Sequence, residues 1–115
     1  MRSNTILIKS FNFALRIIKL SKKLREQREF VISDQLLRTG TSIGAQVEEA
    51  QAGQSRRDFV AKMAIASKEA RETRYWLRLL NQSRIADMDV DEELQDVEEL
   101  IRIITAIVKT ASRAQ

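Results

Sequence analysis

Apolar residues recur along this chain at intervals of three and four, the spacing of one helical face, in four successive stretches. The first runs from about Asn4 to Arg25, with Ile6, Phe13, Ile17, Leu20 and Leu24 on one line and Leu7, Phe11, Ala14 and Ile18 beside it. The second, from about Glu29 to Ala52, carries Ile32, Leu36, Ile43, Val47 and Ala50, and Gly53 follows where a left-handed cap would end it. The third opens at "SRRD", where Ser55 is placed to cap free amides and Asp58 lies near the positive end of the helix dipole. Its inward line is Phe59, Met63, Ala66, Ala70, Leu77 and Leu80. The fourth opens at "DVDE", with Asp89 and Glu92 spaced as a capping box, and continues through Leu94, Val97, Ile101, Ile104, Val108 and Ala111. No stretch has strand alternation. Long helices joined by short polar junctions predict an all-α fold, an antiparallel up-down four-helix bundle forming a single domain over residues 1–115.

The apolar arcs are wider than a small bundle requires. Leu100, Ile103 and Ile107 widen that of the fourth helix to roughly half the circumference, where somewhat more than ~100° suffices for a core-facing helix. The arc of the first helix is wider still. The surplus predicts burial against further copies of the chain, cover by long lysine and arginine stems being the alternative.

Gly40 and Gly44 stand inside the second helix, where each costs roughly 1 kcal/mol relative to alanine. They fall on one side of it, flanking the apolar line, and small residues four apart let two backbones approach closely. A phosphate cradle would need free amides at a helix start after a strand, which mid-helix glycines do not supply. Helix packing is therefore their expected role.

Composition narrows the chemistry. The chain has no proline, cysteine or histidine. Disulfides, thiolate and imidazole catalysis and the usual zinc and haem ligands are excluded together, so neither cofactor nor metal is expected and a cytoplasmic location suits the chain. The opening "MRSNTILIKSFNFALRIIKL" is broken at every turn by Lys9, Asn12, Arg16 and Lys19, so neither a signal peptide nor a membrane span is expected there. Glu69 and Glu72 share a helical face, but di-iron bundles require Glu-x-x-His on facing helices, and pairing with Arg38 or Arg71 is the simpler role. No enzymatic activity is expected.

Charge is strongly polarised. Residues 1–28 hold eight Lys or Arg and one acid, whereas residues 87–99 hold eight acids and no base. Lys9, Arg16, Lys19 and Lys23 make one stripe on the first helix. Arg56, Lys68, Arg71, Arg74 and Arg78 make another on the third. Two such stripes suit a nucleic-acid backbone. The alternative is that they are solvated faces, or that the first helix pairs with the acidic start of the fourth in the same or a neighbouring subunit. Tyr75 and Trp76 could stack on bases, although a packed or interfacial aromatic is the commoner outcome at such positions.

The stretch "QLLRTGTSIGAQVEEAQAGQSRRDFVAKMAIASKEARETRYWLRLL" resembles a four-helix-bundle family encoded in intervening sequences of bacterial large-subunit ribosomal RNA genes, with relatives that include the accessory variability protein of diversity-generating retroelements. Gln35, Arg38, Ser42, Ile43, Glu49, Asp58 and Phe59 match its pattern, which covers about Phe30 to Leu80. Gln46 replaces the usual asparagine and Ala50 the usual glycine, so the roles of those two residues in relatives do not carry over. The resemblance implies a homo-oligomeric ring, expected to be a pentamer, with RNA, DNA or a reverse transcriptase as partner in some relatives. Two readings follow: a basic nucleic-acid-binding adaptor, or a protein-interaction module serving a neighbouring enzyme such as a reverse transcriptase.

Overall fold

Four helices form where the periodicity places them: α1 (Arg2–Glu26), α2 (Phe30–Gln51), α3 (Arg56–Ser83) and α4 (Asp91–Arg113). The computed structural model describes residues 2–113, with side-chain surroundings from residue 5 onward, and among the described residues there is no strand. Each helix packs on its neighbours in sequence and α4 closes back on α1, giving a body of 47 × 21 × 20 Å. The predicted inward lines meet in one core, where Ile6, Ile17, Leu36, Ile43, Met63, Leu77, Val97 and Ile104 are fully buried. Burial of this kind, at roughly 25 cal/mol per Å² of apolar surface, is the main favourable term in folding.

Two sets of buried hydroxyls meet in pairs, whereas Ser42 Oγ, Gln46 Oε1 and Glu69 Oε1 are buried without a hydrogen-bond partner among the described residues. The Ser21 and Ser33 hydroxyls lie 2.5 Å apart, each also within reach of the other residue's carbonyl, at 3.1 and 2.9 Å. Thr73 and Thr39 meet between α3 and α2 at 2.9 Å. Such pairing offsets the desolvation that an isolated buried hydroxyl would suffer.

The helix ends agree with the sequence at one point and differ at two. Ser55 caps α3 as expected, its hydroxyl accepting from the Asp58 amide at 3.1 Å. Gly53 is not a left-handed cap, because it has no positive φ. Its reason is space: a Cβ there would stand 3.1 Å from the Ala50 carbonyl oxygen and 3.2 Å from the Phe59 amide nitrogen, since α3 starts hard against the end of α2. The capping box at α4 does not form either. Val90 takes the capping position, its carbonyl accepting from Leu94, while the Asp89 carboxylate accepts from the Asp91 amide at 2.9 Å. Glu92 is drawn instead to Arg16 of α1.

Left-handed backbone occurs at Arg28 (φ 65°) and Arg84 (φ 56°), in the two loops at the same end of the bundle. Gln27 ties those loops together, accepting from the Asp87 amide at 2.9 Å and donating to its carbonyl at 3.1 Å. No helix among the described residues is long and apolar enough to cross a membrane.

Candidate nucleic-acid interface

The two basic stripes have different surroundings. On α1, Lys9 bridges to Glu99 at 3.3 Å and Arg16 bridges to both Asp96 and Glu92, all on α4. The same helix spacing that lines up the α1 cations brings them against the acidic start of α4. Lys19 and Lys23 border a cleft of about 650 Å³ together with Asp87, Asp89 and Glu93. Half of the α1 stripe, Lys9 and Arg16, is thus answered from within the chain, whereas Lys19 and Lys23 take part in no ion pair among the described residues.

On α3, Lys68, Arg71 and Arg78 are exposed and Arg74 is half-buried. Arg71 donates to Thr105 of α4 at 3.4 Å and to Ser67 at 3.4 Å. Counting along the two helices from the Arg71–Thr105 contact puts Arg102 level with Arg74, Lys109 level with Lys68, and Glu98 level with Arg78. Among the described residues none of Lys68, Arg71, Arg74, Arg78, Arg102 and Lys109 takes part in an ion pair. Arg71 alone is seen to reach across from α3 to α4, and Arg102 borders a pocket with Asp96, Glu98 and Glu99. Arg56, the remaining residue of the expected α3 stripe, lies exposed at the start of the helix. Sequence reasoning missed Arg102 and Lys109, although their spacing of seven places them on one face of α4 and could have found them.

The residues carrying the family resemblance lie on the α2–α3 seam. Arg38 donates to Gln35 at 2.7 Å and to Glu72 at 2.8 Å, and Glu72 also accepts from the Trp76 indole at 3.2 Å. Glu49 accepts from Lys62 at 3.0 Å. Glu72 is therefore engaged in positioning contacts, and no group of three or more His, Cys, Asp or Glu among the described residues could hold a metal ion. Trp76 packs against the core, whereas Tyr75 is exposed.

Gly40 and Gly44 both face α1, the first toward Ile17 and the second toward the Ser10 backbone. The wide apolar arcs have different fates. On α4, Leu100 is buried and Ile103 and Ile107 are packed against the core, so little surplus remains there. On α1, Ile8, Phe11, Leu15 and Ile18 form a separate line on the outer face, each about half exposed or more.

Residues 2–106 match the model of the 23S rRNA-intervening sequence protein family. No curated protein matches the chain. Among solved structures, the chain is similar to a protein of unknown function from the S23 ribosomal protein family of Bacteroides thetaiotaomicron VPI-5482. The identity is 46%, the match covers 95% of this chain and 99% of that one, and the TM-score is 0.88.

Proposed function

The chain belongs to the 23S rRNA-intervening sequence protein family, and from that premise we propose that it is a non-enzymatic, cytoplasmic nucleic-acid-binding adaptor: an antiparallel up-down bundle that assembles into a ring, most simply the pentamer its resemblance implies, and holds RNA or DNA backbone along the α3–α4 groove. The observation that carries this reading is the unpaired basic field of Lys68, Arg71, Arg74, Arg78, Arg102 and Lys109. Cations committed to internal carboxylates have little charge left to offer, whereas cations without partners can displace the counterions of a phosphate chain. A ring repeats the field once per subunit, so modest contacts add on one strand.

Mobility shifts with structured RNA and duplex DNA over a range of salt test this. Binding should be tolerant of sequence and should fall with salt on a log-log slope that grows with the phosphates contacted. Reversing Arg71, Arg74 and Arg78 to glutamate should abolish it while circular dichroism and the melting profile stay close to wild type. An intact assembly that binds neither probe at low salt sinks the proposal.

One observation favours the second reading, a protein-interaction module serving a neighbouring enzyme such as a reverse transcriptase. The outer face of α1 presents Ile8, Phe11, Leu15 and Ile18 to solvent, and exposed apolar stripes of this kind serve protein contacts rather than phosphate ones. If nucleic acid is not bound and the assembly leaves that face uncovered, it becomes the leading functional surface.

A further inference from the structure

Tyr75 stands within the α3 cations. Arg71 lies one turn before it, Arg78 one turn after it and Lys68 two turns before it, so all three are within about 11 Å of it along the helix axis. Its residue is 54% exposed. A large aromatic on the solvent side of a helix contributes little to the core, so its place among unpaired cations asks for another reason.

The neighbouring Trp76 supplies a rigid backing. Its indole is fixed to Glu72 at 3.2 Å, Glu72 is held by Arg38 at 2.8 Å, and Arg38 is braced by Gln35 at 2.7 Å. Tyr75 meets this anchored ring edge to face, with centroids 5.4 Å apart and planes at 72°. A T-shaped contact engages at most one face of a ring. The tyrosine is therefore steadied while ring surface stays open to solvent beside the cations.

We propose that Tyr75 is a stacking platform for an unpaired base, and that the α3 surface prefers single-stranded nucleic acid to duplex. The inference rests on the reading of α3 and α4 as a backbone-binding groove and adds the form of the ligand. In a single strand the phosphates can follow Lys68, Arg71 and Arg78 while a base turns onto Tyr75, because every base has a π-face and stacking is indifferent to its identity. In a duplex the bases are already stacked inside, and a tyrosine on a convex helix reaches only the backbone. Duplex would then gain from the charges alone.

The test compares oligo-dT and oligo-U with duplex of matched length, at matched salt, on the wild-type chain and on Tyr75→Ala and Tyr75→Phe. Wild type should bind the single strands more tightly. Tyr75→Ala should lose about tenfold in single-strand affinity, leave duplex binding and the salt slope unchanged, and keep the wild-type mass by light scattering. Tyr75→Phe, which keeps the ring, should retain wild-type binding. Equal weakening toward both forms, no weakening at all, or a changed assembly in Tyr75→Ala overturns the inference and leaves the adaptor proposal standing. Failure of wild type to bind any nucleic acid removes the adaptor proposal and this inference together.

Discussion

Gly40 of α2 and Ile17 of α1 meet so closely that a Cβ at residue 40 would stand 2.8 Å from Ile17 Cγ2 and 2.9 Å from its Cγ1. The atoms in the way belong to a β-branched, fully buried side chain with little rotamer freedom. Gly44 differs, since a Cβ there would meet the Ser10 carbonyl oxygen at 3.4 Å, close to ordinary contact. Gly40→Ala should therefore destabilise by about 1–2 kcal/mol, the overpacking cost exceeding the gain in helix propensity. Gly44→Ala should be neutral or slightly stabilising, and Gly40→Leu should cost several kcal/mol more than Gly40→Ala. Urea titrations read all three. In a double-mutant cycle Ile17→Val should recover part of the Gly40→Ala loss; additive losses would show that the close approach is not the cause.

The two left-handed arginines give a prediction of opposite sign. A non-glycine residue in that conformation carries roughly 1–2 kcal/mol of strain. Arg28 and Arg84 are both exposed. Arg28→Gly and Arg84→Gly should each raise stability by about 0.5–1 kcal/mol, the strain relieved exceeding the added entropy of the unfolded chain. Thermal melts check this, with Arg28→Ala and Arg84→Ala as controls that should show no gain.

The fold was legible in the sequence because helix signals are local and repeat over many turns. The inward lines of all four helices, the Ser55 cap and the helix-packing side of Gly40 and Gly44 can be read from spacing alone. Legibility failed where a second element decides the outcome. Gly53 is required by the close start of α3, not by its own φ, and Glu92 is drawn from a cap to Arg16. The candidate interface was half legible for the same reason. Helical spacing displays a stripe of cations, but it cannot tell that α1's stripe faces acids while α3's is extended by Arg102 and Lys109 from α4.

Assembly is testable at the outer face of α1. Ile8, Phe11, Leu15 and Ile18 recur at helical spacing on the side turned away from the core, and a stripe of this length is costly to leave in water. Light scattering at micromolar concentration should show a homo-oligomer larger than a dimer. Phe11→Asp combined with Leu15→Asp should reduce it to monomer with unchanged helical circular dichroism, because neither side chain belongs to the core. A monomeric wild type would show that α1 tolerates the exposure.

Arg16 separates the two basic stripes by experiment. Its side chain is 40% exposed and its guanidinium pairs with Asp96 and Glu92 together, so its charge is answered twice from α4. Exposed ion pairs are individually worth about 0.2–1 kcal/mol, and a cation shared by two carboxylates belongs at the upper end of that range. Arg16→Ala should cost about 1 kcal/mol of stability, a loss that shrinks in high salt as the remaining charges are screened. Arg16→Glu should cost more, because it sets a third carboxylate against the other two, and Asp96→Lys introduced beside it should recover part of the difference. Neither Arg16 variant should change nucleic-acid affinity by more than about twofold, since a cation committed to internal acids releases few counterions. Arg71→Ala should do the reverse, weakening nucleic-acid binding and lowering the salt slope while leaving the melt in place. Paired urea melts and salt-dependent binding curves on these variants give the answer. If Arg16→Ala melts like wild type and loses affinity while Arg71→Ala keeps it, then α1, not α3, faces the ligand.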